Sequence, residues 1–234
     1  MTYKGPRPFV APRALKSEEI PGIIEQFRRG AENAREAGFD GVELHAANGY
    51  LLDQFLRDGS NHRTDEYGGG VENRARLLFT VTETVVNVLG EGRVGIHISP
   101  ENPFNSVTDS NSELLFSHVA EGLNRFPLAY LHVVEIDLSN PPVFNGALNP
   151  ITQKLREIFK GTYISNGGYD RDKAERVLER GDADLVSFGR LFLANPDLPE
   201  RFSKAKPLND PDPTTFYGGD ERGYTDYPVL DSAR

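Results

Sequence analysis

The sequence predicts an α/β fold built on a parallel sheet, and three observations carry that prediction. Short apolar runs alternate with stretches of helical period along most of the chain. Each apolar run ends in polar or Gly-rich residues: His45, Ser99, Glu135, Asn166-Gly167-Gly168 and Gly189-Arg190. No internal repeat, low-complexity tract or linker interrupts the alternation. Parallel neighbours need a crossover connection, usually a helix, and helices laid over the sheet leave strands that read as continuous apolar runs.

After a Pro-rich lead (KGPRPFVAPRAL), apolar residues at Ile20, Ile23, Ile24, Phe27, Ala31 and Ala34 form a helical stripe stopped by Gly38. Gly41–Leu44 reads as the first strand. A loop rich in Gly, Asp and Arg (RDGSNHRTDEYGGG) precedes a helix over Glu72–Leu89, with Leu78, Val81, Val85 and Val88 on one face and Gly90 ending it. Strand Arg93–Ser99, helix Ser112–Asn124, strand Ala129–Val134 and helix Ile151–Phe159 follow. Strand Tyr163–Ser165, helix Asp170–Arg180 and strand Ala183–Phe188 complete the alternation. The expectation is a single domain over residues 1–234 with five parallel strands. A closed α/β barrel needs eight βα units and about 250 residues, and its chemistry sits at the C-terminal rim of the strands. A five-strand arc has two open edges, which a second chain or a homo-oligomer would cover.

At 234 residues, with 38% hydrophobic and 26% charged content, the chain falls among globular proteins and outside the disordered class. A formal charge of −9 with both signs interleaved offers no surface to nucleic acid or an anionic membrane, so neither is expected as a partner. No leader pattern and no apolar run near the roughly 20 residues of a membrane span is visible, so a cytoplasmic protein is expected. The absence of cysteine rules out disulfides, thiolate metal sites and a cysteine nucleophile.

Two motifs carry chemistry. VELHAANGYL releases two hydrogen-bonding side chains, His45 and Asn48, and the phenol Tyr50 together at a strand end. A lone His-x-x-Asn is common, and strand-end histidines are often only structural. ISNGGY runs straight into a helix, and its adjacent glycines let backbone N–H groups approach an anion such as a phosphate. Gly189-Arg190 suits the same anion, although a double glycine is more often a plain turn, and a surface ion pair is the lesser reading of Arg190.

With RPFVAPRAL, AGFDGVELHAANGYLLDQFL, NHRTDEYGGGVENRARL, YLHVVE, NGGYDRDKAE, GDADLVSFGRLFLANPDLPERF and TFYGGDERGYTDYP, the chain resembles the old yellow enzyme family of FMN-dependent ene-reductases, which includes the plant oxophytodienoate reductases. The resemblance covers nearly the whole chain. It implies a partial TIM (β/α)8 barrel, with Val42–Leu44 as the fourth family strand, Ala183–Phe188 as the eighth, and the first three strands not included. It implies FMN as cofactor, NADPH or NADH as hydride donor, and a small-molecule activated alkene as substrate.

By position, His45 and Asn48 match the family pair that hydrogen-bonds the substrate carbonyl, and Tyr50 matches the proton donor. Tyr217 matches an aromatic residue lining the same pocket, or is equally a packed tail aromatic. Gly167, Gly168, Gly189 and Arg190 match the FMN phosphate positions. His97, in VGIHISP, stands at a cofactor-binding position where the family has an arginine facing the flavin N1 and O2 edge. Arginine is permanently charged there, whereas an unperturbed imidazole is mostly neutral at pH 7. The segment Ile136–Pro150 also departs from the family pattern. The Arg63–Gly69 loop and Glu72-Asn73-Arg74 are read as scaffold carrying a solvated charge cluster. The expected function is NAD(P)H-dependent, FMN-dependent reduction of activated C=C bonds of enone-type substrates. Alternatives are a catalytically inactive or partner-dependent relative, and a phosphate-ligand binding module without redox chemistry.

Overall fold

The computed structural model describes residue 10 and residues 12–135, 150–217 and 220–230. Its strands are β1 (Val42–Ala46), β2 (Val94–Ile98), β3 (Tyr130–Val134), β4 (Tyr163–Asn166) and β5 (Leu185–Val186). They form one parallel sheet in the order β1-β2-β3-β4-β5. The helices are α1 (Ile20–Glu36), α2 (Leu51–Leu56), α3 (Val71–Leu89), α4 (Ser112–Leu123), α5 (Pro150–Ile158), α6 (Arg171–Glu179), α7 (Arg190–Ala194) and α8 (Leu198–Ser203).

Local signals account for most of the boundaries. Pro21 occupies the first turn of α1, where its missing N–H costs nothing, and Gly38 (φ 84°) follows the helix end. Gly90 (φ 91°) stops α3 in a conformation that disfavours a side chain. Asn111 and Asp170 cap α4 and α6 by accepting from Leu114 N and Lys173 N. Of the sequence-predicted strands only the last differs clearly, since β5 keeps just two ladder residues and pairs through Ile164 and Ser165 alone.

The described residues fall into two compact units. Leu15–Val186 holds the whole sheet and helices α1 to α6. Because β1 to β5 lie in sequence order and parallel crossovers are right-handed, the connecting helices cover one face of this sheet. Leu44, Ala46, Ile96, Ile98, Leu131, Val133 and Tyr163 are accordingly buried on that face. Glu43, His45, His97, Tyr130, His132, Ile164 and Asn166 alternate onto the other face and are half-buried or exposed. β1 and β5 are the sheet edges, and an apolar groove of about 450 Å³, lined by Ile23, Phe27, Ala31, Val42 and Leu44, lies beside β1.

The other unit, Met1–Ala14 with Ser187–Arg234, contains α7 and α8. It is organised around the buried Arg201, which pairs with Asp197 at 2.7 Å and donates to the carbonyls of Pro207 and Pro228 at 2.7 and 2.8 Å. Among the described residues no helix is long and apolar enough to cross a membrane.

Candidate functional site at the C-terminal rim of the sheet

Beyond β1 the chain turns sharply through Asn48 (φ 58°) and Gly49 (φ 72°), two successive left-handed residues. Asn is the side-chain-bearing residue that best tolerates this region, and Gly49 has no alternative: a Cβ there would lie 2.8 Å from Asn105 Cβ and 2.9 Å from Phe104 O. The turn is clamped to the β2 rim. Asn48 N donates to Ser99 Oγ at 2.7 Å, and Asn105 Nδ2 donates to Asn48 O at 2.8 Å. Asn102 Nδ2 donates to Asn48 Oδ1 at 2.5 Å. With its amide oxygen engaged, the Asn48 side chain offers its Nδ2 donor.

The turn is held from below by a buried ion pair. Asp53 is fully buried and accepts from Gly49 N and from Arg57 Nε, each at 2.8 Å. Arg57 in turn donates to Ser99 O at 2.5 Å and Pro100 O at 3.2 Å, and its guanidinium lies 5.0 Å from the centre of the Phe116 ring. Burial pushes the Asp53 carboxyl up, against the pull of Arg57. Asp53 and Arg57 look like ordinary surface charges at helical spacing in the sequence, which is why they were missed as positioning residues.

Tyr50, half exposed, precedes α2, and its ring centroid lies 5.2 Å from that of His45. The two side chains are therefore neighbours, with Asn48 in the turn between them. His45 is level with His97 on β2, and His97 is level with His132 on β3, so three imidazoles form one row across the inner face. The His45 and His97 Nδ1 atoms are 3.3 Å apart, and the His97 and His132 rings stack at 4.3 Å with a 14° tilt. Glu43 lies one step towards the strand starts, 3.6 Å from His97 Nδ1 and 3.0 Å from His132 Nδ1.

Burial, with His132 beside it, lowers the His97 pKa to about 4, so this ring is neutral at pH 7. Burial works to raise the Glu43 carboxyl, but its hydrogen bond with His132 and the nearby His97 and Tyr130 outweigh it and hold the group low. Burial and the adjacent Glu43 push the Tyr130 phenol up to about 12. Glu43 near His97 Nδ1 favours the proton on that nitrogen. An Nδ1–H on His97 that donates to His45 Nδ1 then places the His45 proton on Nε2, the tautomer able to donate outward.

At the end of β4, Gly167 (φ 154°) and Gly168 (φ 76°) adopt backbone that side-chain residues avoid. A Cβ on Gly167 would lie 2.3 Å from Glu135 O, whereas Gly168 faces open space. This turn is an approachable backbone cradle of the kind a phosphate uses. Asp170 already caps α6, so an anion would meet the glycine backbone and not the start of that helix. Gly189, also open, and the exposed Arg190 belong to the C-terminal unit, where Arg190 forms no ion pair with another described residue. Tyr217, in the same unit, is 82% exposed. The departure at Ile136–Pro150 lies outside the described residues except for Pro150.

The expected solvated charge cluster is corrected by the structure. Arg74 is buried, paired with the buried Asp109 at 2.7 Å, and donates to Gly69 O at 3.0 Å and to Leu56 O. Arg63 pairs with Asp65 at 2.5 Å and is only partly exposed. These residues fasten the long loop after α2, where backbone carbonyls need buried donors that surface charges would not supply.

Glu135, at the end of β3, is a buried carboxyl whose Oε1 accepts from Ser165 Oγ and, at 3.3 Å, from Tyr169 OH. Its Oε2 has no partner among the described residues. Burial raises its pKa from 4.5 to about 7. A raised folded value means that native protein holds this proton more tightly than unfolded chain. The stability it contributes is complete below pH 4.5 and is lost as pH rises through about 7. Replacing Glu135 with Gln keeps the shape and removes the titration. The loss of stability that this group causes between pH 4.5 and pH 8, on the order of 3 kcal/mol, should disappear from urea unfolding of the variant. Equal pH slopes in both proteins would show that the carboxyl is solvated.

The family of NADH:flavin oxidoreductases and NADH oxidases matches residues 5–209. 12-oxophytodienoate reductase 1 of Oryza sativa subsp. japonica is 49% identical over 226 residues, covering 94% of this chain and 58% of the relative. 12-oxophytodienoate reductase 2 of Arabidopsis thaliana is 46% identical over 225 residues, covering 96% of this chain and 60% of the relative. Across eight such relatives the chain spans 56% to 72% of their length. Morphinone reductase in complex with tetrahydroNAD superposes with a TM-score of 0.89 at 48% identity, covering 97% of this chain and 61% of that one. The old yellow enzyme homologue from Zymomonas mobilis gives 0.90 at 40% identity, covering 98% of this chain and 64% of that one. The parallel five-stranded sheet is thus part of the TIM-barrel fold of these enzymes.

Proposed function

The chain belongs to the NADH:flavin oxidoreductase / NADH oxidase family, and from that premise we propose that it serves FMN-dependent reduction of activated C=C bonds in enone-type small molecules, with NADH or NADPH as hydride donor. The observation that carries this reading is the pairing of His45 with Tyr50, ring centres 5.2 Å apart, beside an Asn48 whose amide oxygen is already engaged. Hydrogen donors and a phenol are what the chemistry requires at one point. FMN, when bound, supplies hydride to the β-carbon of the alkene. Negative charge then builds on the substrate carbonyl oxygen, where His45 Nε2–H and Asn48 Nδ2 donate hydrogen bonds that lower the barrier. Tyr50 delivers its phenolic proton to the α-carbon.

Gly167, Gly168, Gly189 and Arg190 would hold the FMN phosphate, the first two through backbone N–H groups and the last through a guanidinium able to grip it bidentately. Tyr217 would line the substrate pocket. Neutral His97 would face the flavin ring without the positive charge that favours its reduced anion, so weaker flavin binding is part of this reading. The half-buried and exposed side chains of the inner face, and the end positions of β1 and β5 in the strand order, support completion of the site by a second chain or another copy. The reading places the protein in the cytoplasm.

The test is the visible spectrum of the chain purified with added FMN. A retained flavin band that bleaches with NADPH or NADH and returns on adding a cyclic enone is expected. A folded chain that retains no flavin, alone or with a complementing N-terminal segment, would favour the catalytically inactive alternative, for which the neutral His97 already speaks.

A further inference from the structure

Glu43, His97 and His132 bring their ligand atoms within 4.8 Å of one another on the inner face, although the proposed reduction uses none of them as donor or acid. They stand on three adjacent strands. His97 and His132 are level in the register, while Glu43 is level with Gly95. Gly95 adds no side chain of its own, and the Tyr130 ring lies over it, 2.2 Å from where a Cβ would stand; the Glu43 carboxylate, which also hydrogen-bonds Tyr130, reaches across β2 to His132 on β3. From these contacts we propose that Glu43, His97 and His132 bind a divalent first-row transition metal ion of the Zn2+ type.

The spacing suits such an ion. With metal–nitrogen and metal–oxygen bonds of about 2.0–2.1 Å, ligand atoms around a tetrahedral centre lie about 3.3 Å apart. Glu43 Oε2 lies 3.0 Å from His132 Nδ1 and Oε1 lies 3.6 Å from His97 Nδ1, so both carboxylate oxygens stand near that spacing, and binding requires the stacked imidazoles to rotate until both Nδ1 lone pairs meet one ion. Both nearest histidine atoms are Nδ1, and His45 Nδ1, 3.3 Å from that of His97, stands beside them as a further donor. His97 Nε2 is buried and has no hydrogen-bond partner among the described residues, so moving the ring proton there on metal binding displaces none of their contacts at that nitrogen. Two imidazoles and one carboxylate select Zn2+, Co2+ or Ni2+ over Mg2+ and Ca2+, which prefer all-oxygen shells. One carboxylate charge leaves a bound divalent ion with a net positive charge on the sheet's inner face.

The site requires no flavin, so it can be tested independently of the proposed oxidoreductase function. The untagged full chain, stripped with chelator and free of FMN, is titrated with Zn2+ against a chromophoric indicator, and with Co2+ while its d–d absorption is followed. One equivalent of Zn2+ per chain, undisturbed by excess Mg2+, is expected. His132→Ala and Glu43→Gln should each weaken Zn2+ at least about tenfold. His62→Ala, which alters an exposed histidine elsewhere, should change nothing. His97→Arg keeps a polar partner for Glu43 and serves as the folding control: its far-UV circular dichroism should match the parent while Zn2+ and Co2+ binding are lost. No stoichiometric uptake by the folded chain, or equal uptake by the parent, His97→Arg and His132→Ala, overturns the assignment.

Discussion

Replacing Asp53 with Ala should lower stability by about 3–5 kcal/mol, the cost of leaving a buried charge without its partner. Asp53 is fully buried and Arg57 only 2% exposed, and a guanidinium cannot shed its proton to escape the penalty. The variant also removes the acceptor for Gly49 N, in a turn that already holds two left-handed residues. Asp53→Asn should cost less, because an amide oxygen can still accept from Gly49. The double variant Asp53→Leu with Arg57→Met should cost less than Asp53→Ala alone, since it removes the stranded charge as well as the pair. Urea unfolding of the four proteins measures this cycle. If Asp53→Ala alone shifted the midpoint as little as an exposed substitution, the ion pair would not be what holds the turn.

Replacing Tyr50 with Phe should slow enone reduction by the flavin-loaded chain about 10²–10⁴-fold, the usual contribution of a positioned acid. Flavin bleaching by NADPH should stay unchanged, because no proton reaches the substrate α-carbon in that half-reaction. The phenol is half exposed and makes no hydrogen bond to another described residue that the substitution would break, so folding is expected to be preserved. Stopped-flow measurement of the two half-reactions separates the effects. Enone-driven reoxidation at the parent rate would remove Tyr50 from the proton-donor role, whereas equal slowing of both half-reactions would point to disturbed flavin binding.

Most of the sheet was legible because parallel strands covered on one face are short apolar runs separated by amphipathic helices. β1 to β4 and the helices α1 and α3 to α6 begin and end within about two residues of the predicted bounds. The short helix α2 escaped notice, since Leu51–Leu56 is too brief for a periodic stripe to emerge. The last strand was overextended because Ala183, Leu185, Val186 and Phe188 read as an apolar run despite Asp184 and Ser187, whereas only Leu185 and Val186 pair with β4.

The sequence by itself determined the alternation of strands and helices, the grouping of His45, Asn48 and Tyr50 at one strand end, and the glycine turn after β4. Each is a local matter, decided by period, by turn chemistry or by residues within a few positions of one another. Only the tertiary structure decided that Asp53 and Arg57 are buried beneath the Asn48-Gly49 turn and that Arg74 pairs with Asp109. It also decided that His45, His97, His132 and Glu43 converge. Those contacts join residues up to 89 positions apart, and strand register, which no local pattern encodes between separate strands, sets which side chains stand level with one another.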